Sequence, residues 1–280
     1  MTECGEKLTL REIQLEELNI LLKVRDFFDM HGIRYFLCGG TLLGAVRHKG
    51  FIPWDDDIDI FVPRADFEKL REIVKDSRPS LGSIKFHIPG DDGYIYPYIK
   101  AVNTSILVDY GKELDNLLWV DIFPLDHYPD NRIMHCFYLN LILNLERALA
   151  MGTFTNEHMR LRGYYDSITK RIKMGIMRGI YRLLGGYKNV SRIIDRIGKS
   201  VDRKYSSSKH FGDGAWPNGM HDYYHESWIF PTVQIPFEGH EFNAPANYDA
   251  FLSHFYGDYM TLPPEDKRQT HYLTAYRIES

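Results

Sequence analysis

The chain has 280 residues, 44% of them hydrophobic and 26% charged, with a formal net charge of −4, enough to bury one large core or two small ones. The negative balance argues against nucleic acid as a partner, and no apolar run approaches the ~18 residues of a membrane span. Cys4, Cys38 and Cys136 are odd in number and lack Cys-x-x-Cys spacing, which favours a reducing compartment over structural zinc. With an acidic, polar N-terminus in place of a signal peptide, the expected location is the cytoplasm.

Thr9 and Glu12 stand at capping-box spacing, and apolar residues recur at helical intervals from Leu10 through Phe28 until Gly32, so a long first helix is expected. The run Tyr35-Phe36-Leu37-Cys38 reads as a short buried strand ending at Gly39-Gly40. Residues 42–47 read as a short helix behind that glycine turn. After a strand at 57–62, residues 66–74 read as helix, and strands are expected near 84–87, 95–102, 106–110 and 118–123. From 131 to about 205 the pattern is helical, broken at Gly185-Gly186. Residues 210–250 lack clear periodicity and read as ordered loops over the core. Within that stretch, residues 237–245 resemble a β-hairpin, and a helix follows near 248–256. The order is α+β with one central mixed sheet, divided as a core over 1–130, a basic helical region over 131–209 and a C-terminal region over 210–280.

Two local patterns carry chemistry. A helix N-terminus behind Gly39, Gly40 and Thr41 offers free N–H groups and a positive dipole end to an anion such as phosphate. Downstream, Asp57-Ile58-Asp59-Ile60 alternates at strand period, with both acids on one face while Ile58 and Ile60 enter the core. Four aspartates within Asp55 to Asp59 would repel one another beside apolar residues unless a cation neutralised them. Asp121 is an isolated acid within the apolar run Leu118-Trp119-Val120-Asp121-Ile122-Phe123, so it needs either a partner or a ligand. Asp126, beyond Pro124, reads as a turn residue.

These residues resemble the three-part signature of the nucleotidyltransferase superfamily that includes DNA polymerase β. More narrowly, the stretch from Gly39 to Asp59, with 119–126 and Tyr256-Gly257-Asp258-Tyr259, looks like the LicD family of bacterial phosphocholine transferases, which is related to fukutin. The resemblance implies a nucleotidyltransferase-like core with a helical insertion. It implies transfer of phosphocholine from CDP-choline to a hydroxyl of a glycan or lipid-linked glycan, of teichoic acid or lipopolysaccharide type, with release of CMP. Asp57, Asp59 and Asp121 would then be the metal carboxylates and catalytic acids, holding two Mg²⁺ or Mn²⁺ ions, and Gly39, Gly40 and Thr41 the phosphate cradle. Transfer of a nucleotidyl group from an NTP, or of another CDP-linked alcohol, stays open.

Other candidates have two readings each. Arg47, His48 and Lys49 could neutralise a diphosphate or form a solvated basic turn, and Lys100 is a similar candidate. Trp54, Trp119, Tyr94, Tyr96 and Tyr98 could cage a quaternary ammonium or simply pack the sheet. Tyr256 to Tyr259 is assigned to sealing the core, and His271 is a minor candidate for substrate contact. Residues 160–204 carry 13 Lys or Arg against 3 Asp, a basic amphipathic segment suited to an anionic membrane surface or a phosphate-rich acceptor.

Overall fold

The computed structural model describes residues 5–109, 116–268 and 274–278. In chain order, the helices are α1 (Leu10–His31), α2 (Gly39–His48), α3 (Arg64–Ser77), α4 (Arg132–Thr153), α5 (Asn156–Leu161), α6 (Ile168–Leu183), α7 (Tyr187–Lys204), α8 (Glu226–Ile229) and α9 (Tyr248–Tyr256). The strands are β1 (Phe36–Leu37), β2 (Asp59–Pro63), β3 (Ser80–Leu81), β4 (Ile84–His87), β5 (Ile99–Asp109), β6 (Leu117–Tyr128), β7 (His210–Asp213), β8 (Tyr224–His225), β9 (Val233–Phe237), β10 (His240–Ala244) and β11 (Thr274–Arg277).

The expected first helix is present in full. Thr9 and Glu12 form both halves of a capping box, and Gly32 ends the helix in the left-handed conformation with φ 59°, where a residue without Cβ is favoured. Ile13, Ile20, Leu21, Val24 and Phe28 face inward and are buried, and α1 packs on β5 and β6.

One mixed sheet runs β1-β2-β6-β5-β4-β3, with β11 on β5 and β7 joining β6 to β8. β2 and β6 are parallel; the other pairs are antiparallel. Where two strands were expected at 95–102 and 106–110, β5 is one strand of 11 residues with a register shift between Asn103 and Leu107. Ser105 N–H donates to Asn103 Oδ1 at 3.0 Å across that irregularity, so a side chain replaces the lost ladder bond. Residues 94–98 form no strand; Pro97 has no N–H to give a ladder. Part of 210–250 is also more regular than expected, since β7 extends the main sheet; the expected hairpin is present as β9–β10, starts earlier, at Val233, and packs against α2 and β1.

Residues from Leu8 to Ala275 share one large core, whereas α4 to α7 have their own apolar contacts, centred on Leu139, Ile142, Val190 and Ile194 and on Met151, Met159 and Met174. Asp126 is a correction to the sequence reading. It is a fully buried residue of β6, and Arg64 grips it through Nε and Nη2 at 2.5 and 2.8 Å. Arg64 also reaches Asp195 of α7 at 3.5 Å, and Arg71 and Lys199 join the same network. The network ties α3 and α7 to the sheet.

Candidate active site

Strand register brings the sequence-predicted acids together. Asp59 on β2 lies opposite Asp121 on β6, Asp121 lies opposite Lys100 on β5, and Lys100 lies opposite His87 on β4. Directly opposed residues project from the same face of a sheet, so one row carries two acids and a lysine side by side. Asp57 precedes β2 and lines the same cleft as Asp59, Asp121 and Lys100, a cavity of about 500 Å³.

The acids are electrostatically unbalanced. Burial, followed by repulsion from Asp57, Asp121 and Asp55, pushes the Asp59 carboxyl well above its ordinary range. Lys100 is buried and supplies a positive charge, its Nζ 3.3 Å from Asp121 Oδ1. The other Asp121 oxygen accepts from Trp119 Nε1 at 3.1 Å, which fixes the carboxylate's direction. Behind the acidic loop, Glu17 of α1 is completely buried, and among the described residues neither of its oxygens has a hydrogen-bond partner. Burial and then Asp57, Asp56 and Asp55 push its carboxyl well above the ordinary range. The sequence reading passed over Glu17, although its place on the apolar face of α1 with Ile13, Ile20 and Leu21 is a signal that could have found it.

The glycines sit differently from the expected turn: they are the first residues of α2 itself, with Cys38 as N-cap. Gly39 has φ 54°, and a Cβ there would stand 3.0 Å from Asp59 Oδ2; at Gly40 a Cβ would stand 2.6 Å from Asp55 Oδ2. Only glycine lets the helix start press this closely against the acids. Thr41 is buried, and its Oγ1 accepts the N–H of Asp59 at 2.9 Å, so it holds the strand carrying the acid.

Arg47, His48 and Lys49 do not reach the cleft. They occupy the far end of α2, about 15 Å along a ten-residue helix, where cations complement the C-terminal dipole. Arg47 donates to the Tyr259 carbonyl at 2.9 Å. Trp54 is also away from the cleft, and its ring is covered by the Arg268 guanidinium at 4.8 Å. Of the other aromatic candidates, Tyr96, Tyr98 and Trp119 line the cleft and Tyr94 does not. Lys100 Nζ lies 4.3 Å from the centre of the Tyr96 ring and 3.8 Å from that of Trp119, so the chain's own ammonium already takes two of the expected cage faces. His271 lies outside the described residues.

Sequence reasoning missed the opposite wall. Glu146, Arg147, Met151, Met159 and Arg162 face the acids from α4, α5 and the turn after them, and Trp216 and Asn218 enter from the loop after β7. That loop hangs on buried acids: Asp213 Oδ1 accepts from the N–H groups of Ala215 and Trp216, and Asp222 Oδ2 from that of Asn218. Tyr256, assigned above to the core, lines the cleft instead and is 39% exposed.

Residues 32–140 match the family model described as LicD/FKTN/FKRP, nucleotidyltransferase domain. Over that stretch, which carries the acids of the cleft floor, the chain is similar to a LicD-family nucleotidyltransferase domain. Across nearly its whole length, the chain is 27% identical over 270 residues to the lipopolysaccharide cholinephosphotransferase LicD of Haemophilus influenzae, covering 96% of this chain and 97% of that one. It is 34% identical over 104 residues to the ribitol 5-phosphate transferase FKRP of Homo sapiens, covering 37% of this chain but 18% of FKRP. An uncharacterized protein of Rickettsia prowazekii is 30% identical over 125 residues, 42% of this chain and 41% of its own. The LicD-family match includes Asp57, Asp59, Asp121 and Lys100 and ends within α4. Most of the cleft's helical wall lies beyond it.

Among the described residues, no three His, Cys, Asp or Glu side chains are gathered into a ready-made metal cage. The donor chemistry nevertheless suits a hard divalent cation: carboxylates of Asp57, Asp59 and Asp121 on one cleft floor, with Asp59 raised by burial and then by its like-charged neighbours. No helix of the described residues is long and apolar enough to cross a membrane.

Proposed function

We propose that this chain transfers phosphocholine from CDP-choline to a hydroxyl of a cell-surface glycan precursor, of lipopolysaccharide or teichoic acid type, in the cytoplasm. The observation that carries the reading is the row Asp59, Asp121 and Lys100 on the floor of a cleft large enough for a nucleotide diphosphate ester. The likeness to the Haemophilus influenzae cholinephosphotransferase over nearly the whole of both chains supports the choice of group transferred.

In the proposed reaction, the acceptor oxygen forms a bond to the phosphocholine phosphorus while the bond from that phosphorus to the CMP oxygen breaks in line. The acceptor's proton passes to the nearest floor carboxylate, Asp121 or its neighbour Asp59, and CMP leaves with the bond electrons. Mg²⁺ or Mn²⁺ held by Asp57, Asp59 and Asp121, as two ions, would neutralise the diphosphate and acidify the acceptor hydroxyl. Lys100 keeps Asp121 directed at the cleft, and the start of α2 at Gly39 and Gly40 offers its positive dipole end to phosphate. Because Lys100 occupies Tyr96 and Trp119, we assign the choline head group to Tyr98 and Trp216, whose rings lie 5.7 Å apart on the cleft wall.

The human relative's name favours a second donor, a nucleotide-linked ribitol phosphate. Purified protein is to be incubated with Mg²⁺ and CDP-choline, CDP-ribitol or CTP together with a glycan acceptor. CMP released from CDP-choline, and lost in Asp59→Asn, is the expected result. Pyrophosphate from CTP without CMP would move the chain to nucleotidyl transfer.

A further inference from the structure

Helix α6 is apolar on two opposite sides. Met174 is buried in the methionine cluster that α6 shares with α4 and α5, and Met177 packs beside it. On the other side, Ile168, Ile172, Ile176 and Leu183 are 75%, 58%, 54% and 87% exposed. At 3.6 residues per turn these four fall within about 80° of arc. Gly175 and Gly179 lie in the same strip with open space above them. Arg171 and Arg182 border the strip on one side and Lys173 on the other, all exposed. The helix has five basic residues and no acidic one.

A helix that only covered the protein would place polar residues on that outer side. Four aliphatic side chains in water, fringed by cations, match an interfacial helix whose apolar strip enters the acyl boundary while Lys and Arg meet the headgroups. A second copy is the poorer occupant, since a symmetric pairing through α6 would set two basic fringes against each other.

We propose that α6 docks on a membrane surface rich in anionic phospholipid. Met174, one layer inside the strip, packs with Met151 and Met159, which line the cleft, and Arg162 and Tyr164 of the connection before α6 line it too. Docking therefore brings the cleft to the bilayer surface, where the glycan of a lipid-linked acceptor is held; that last step alone rests on the transferase reading.

The test is sedimentation of the full chain with vesicles of phosphatidylcholine, with or without phosphatidylglycerol. Binding to the anionic vesicles only, reversed by salt, is expected. Ile172→Asp with Ile176→Asp lowers the bound fraction about tenfold or more, at unchanged Tm and unchanged CMP release with a water-soluble acceptor. Neutralisation by Arg171→Gln, Lys173→Gln or Arg182→Gln weakens it about fivefold per residue. Equal binding to both vesicle types, binding to neither, or a dimer in light scattering that Ile172→Asp dissolves would overturn the proposal. Vesicle binding is read without turnover, so a failed donor assay and a failed docking assay are told apart.

Discussion

Asp121 and Asp126 stand on the same strand and are both nearly sealed from water, yet their surroundings differ in kind. Asp126 meets the guanidinium fork of Arg64, which also reaches Asp195 of α7, so its charge is matched by geometry. Burial raises its pKa to about 6 and Arg64 opposes that rise. Asp121 faces an open cleft beside Asp59 and Asp57, with Lys100 as the cation of its row. A buried acid alone therefore says little about function; an excess of acids over cations beside a cavity says much more.

The sharpest way to break this comparison is to neutralise one acid at each place. Asp59→Asn is expected to lower kcat by about a thousandfold or more while Tm holds or rises, because a like-charge repulsion is removed; a fully active variant would end the assignment of the floor. Arg64→Met leaves Asp126 buried without its fork and is expected to cost about 3–5 kcal/mol in denaturant unfolding, with activity per folded molecule retained. If Arg64→Met instead abolished turnover at unchanged stability, the two clusters would have to exchange roles.

How much of this could be read beforehand follows from the range of each interaction. The α1 capping box, the hairpin, α9 and the alternation at Asp57 to Ile60 depend on neighbours in sequence, and each is present in the structure. Asp126 was misread as a turn residue because Arg64 lies far from it in the chain and no local pattern couples them. Residues 131–205 were legible as helices, but which face meets the cleft depends on packing among helices, so Met159 and Arg162 were not found. The Arg47 to Lys49 group was close to the motif in sequence and is distant in space, since a full helix intervenes. Trp216 enters on a loop placed by Asp213 and Asp222, for which aromatic content in an irregular segment was the only hint.

Smaller effects sharpen the picture. Trp216→Ala is expected to raise KM for CDP-choline about tenfold, the loss of a desolvated cation–aromatic contact, with a smaller change for CDP-ribitol; equal changes for both donors would remove Trp216 from the head-group site. The pH dependence has a definite sign. Burial pushes Asp222 up to about 6, and Asp59 and Asp213 are also raised, so in this region the folded chain binds more protons than the unfolded one. Stability without metal is thus expected to fall as pH rises from about 4, the unfolded carboxylate value, through about 6, the folded value of Asp222. Added Mg²⁺ should restore part of it in the native chain and none in Asp59→Asn, as read by thermal unfolding; identical Tm values with and without Mg²⁺ in the native chain would argue against a cation on the floor.

The cleft's two sides come from different lengths of chain: the acids lie within residues 32–140, whereas Met151, Met159 and Arg162 follow that stretch. Substitutions in the later segment can reshape what fits opposite the acids without disturbing the strand register that aligns them. Exchange of residues 141–165 between LicD-family members is consequently a route to new acceptor preferences on an unchanged reaction centre, and a chain cut before that segment would keep its acids but lose half of its binding chamber.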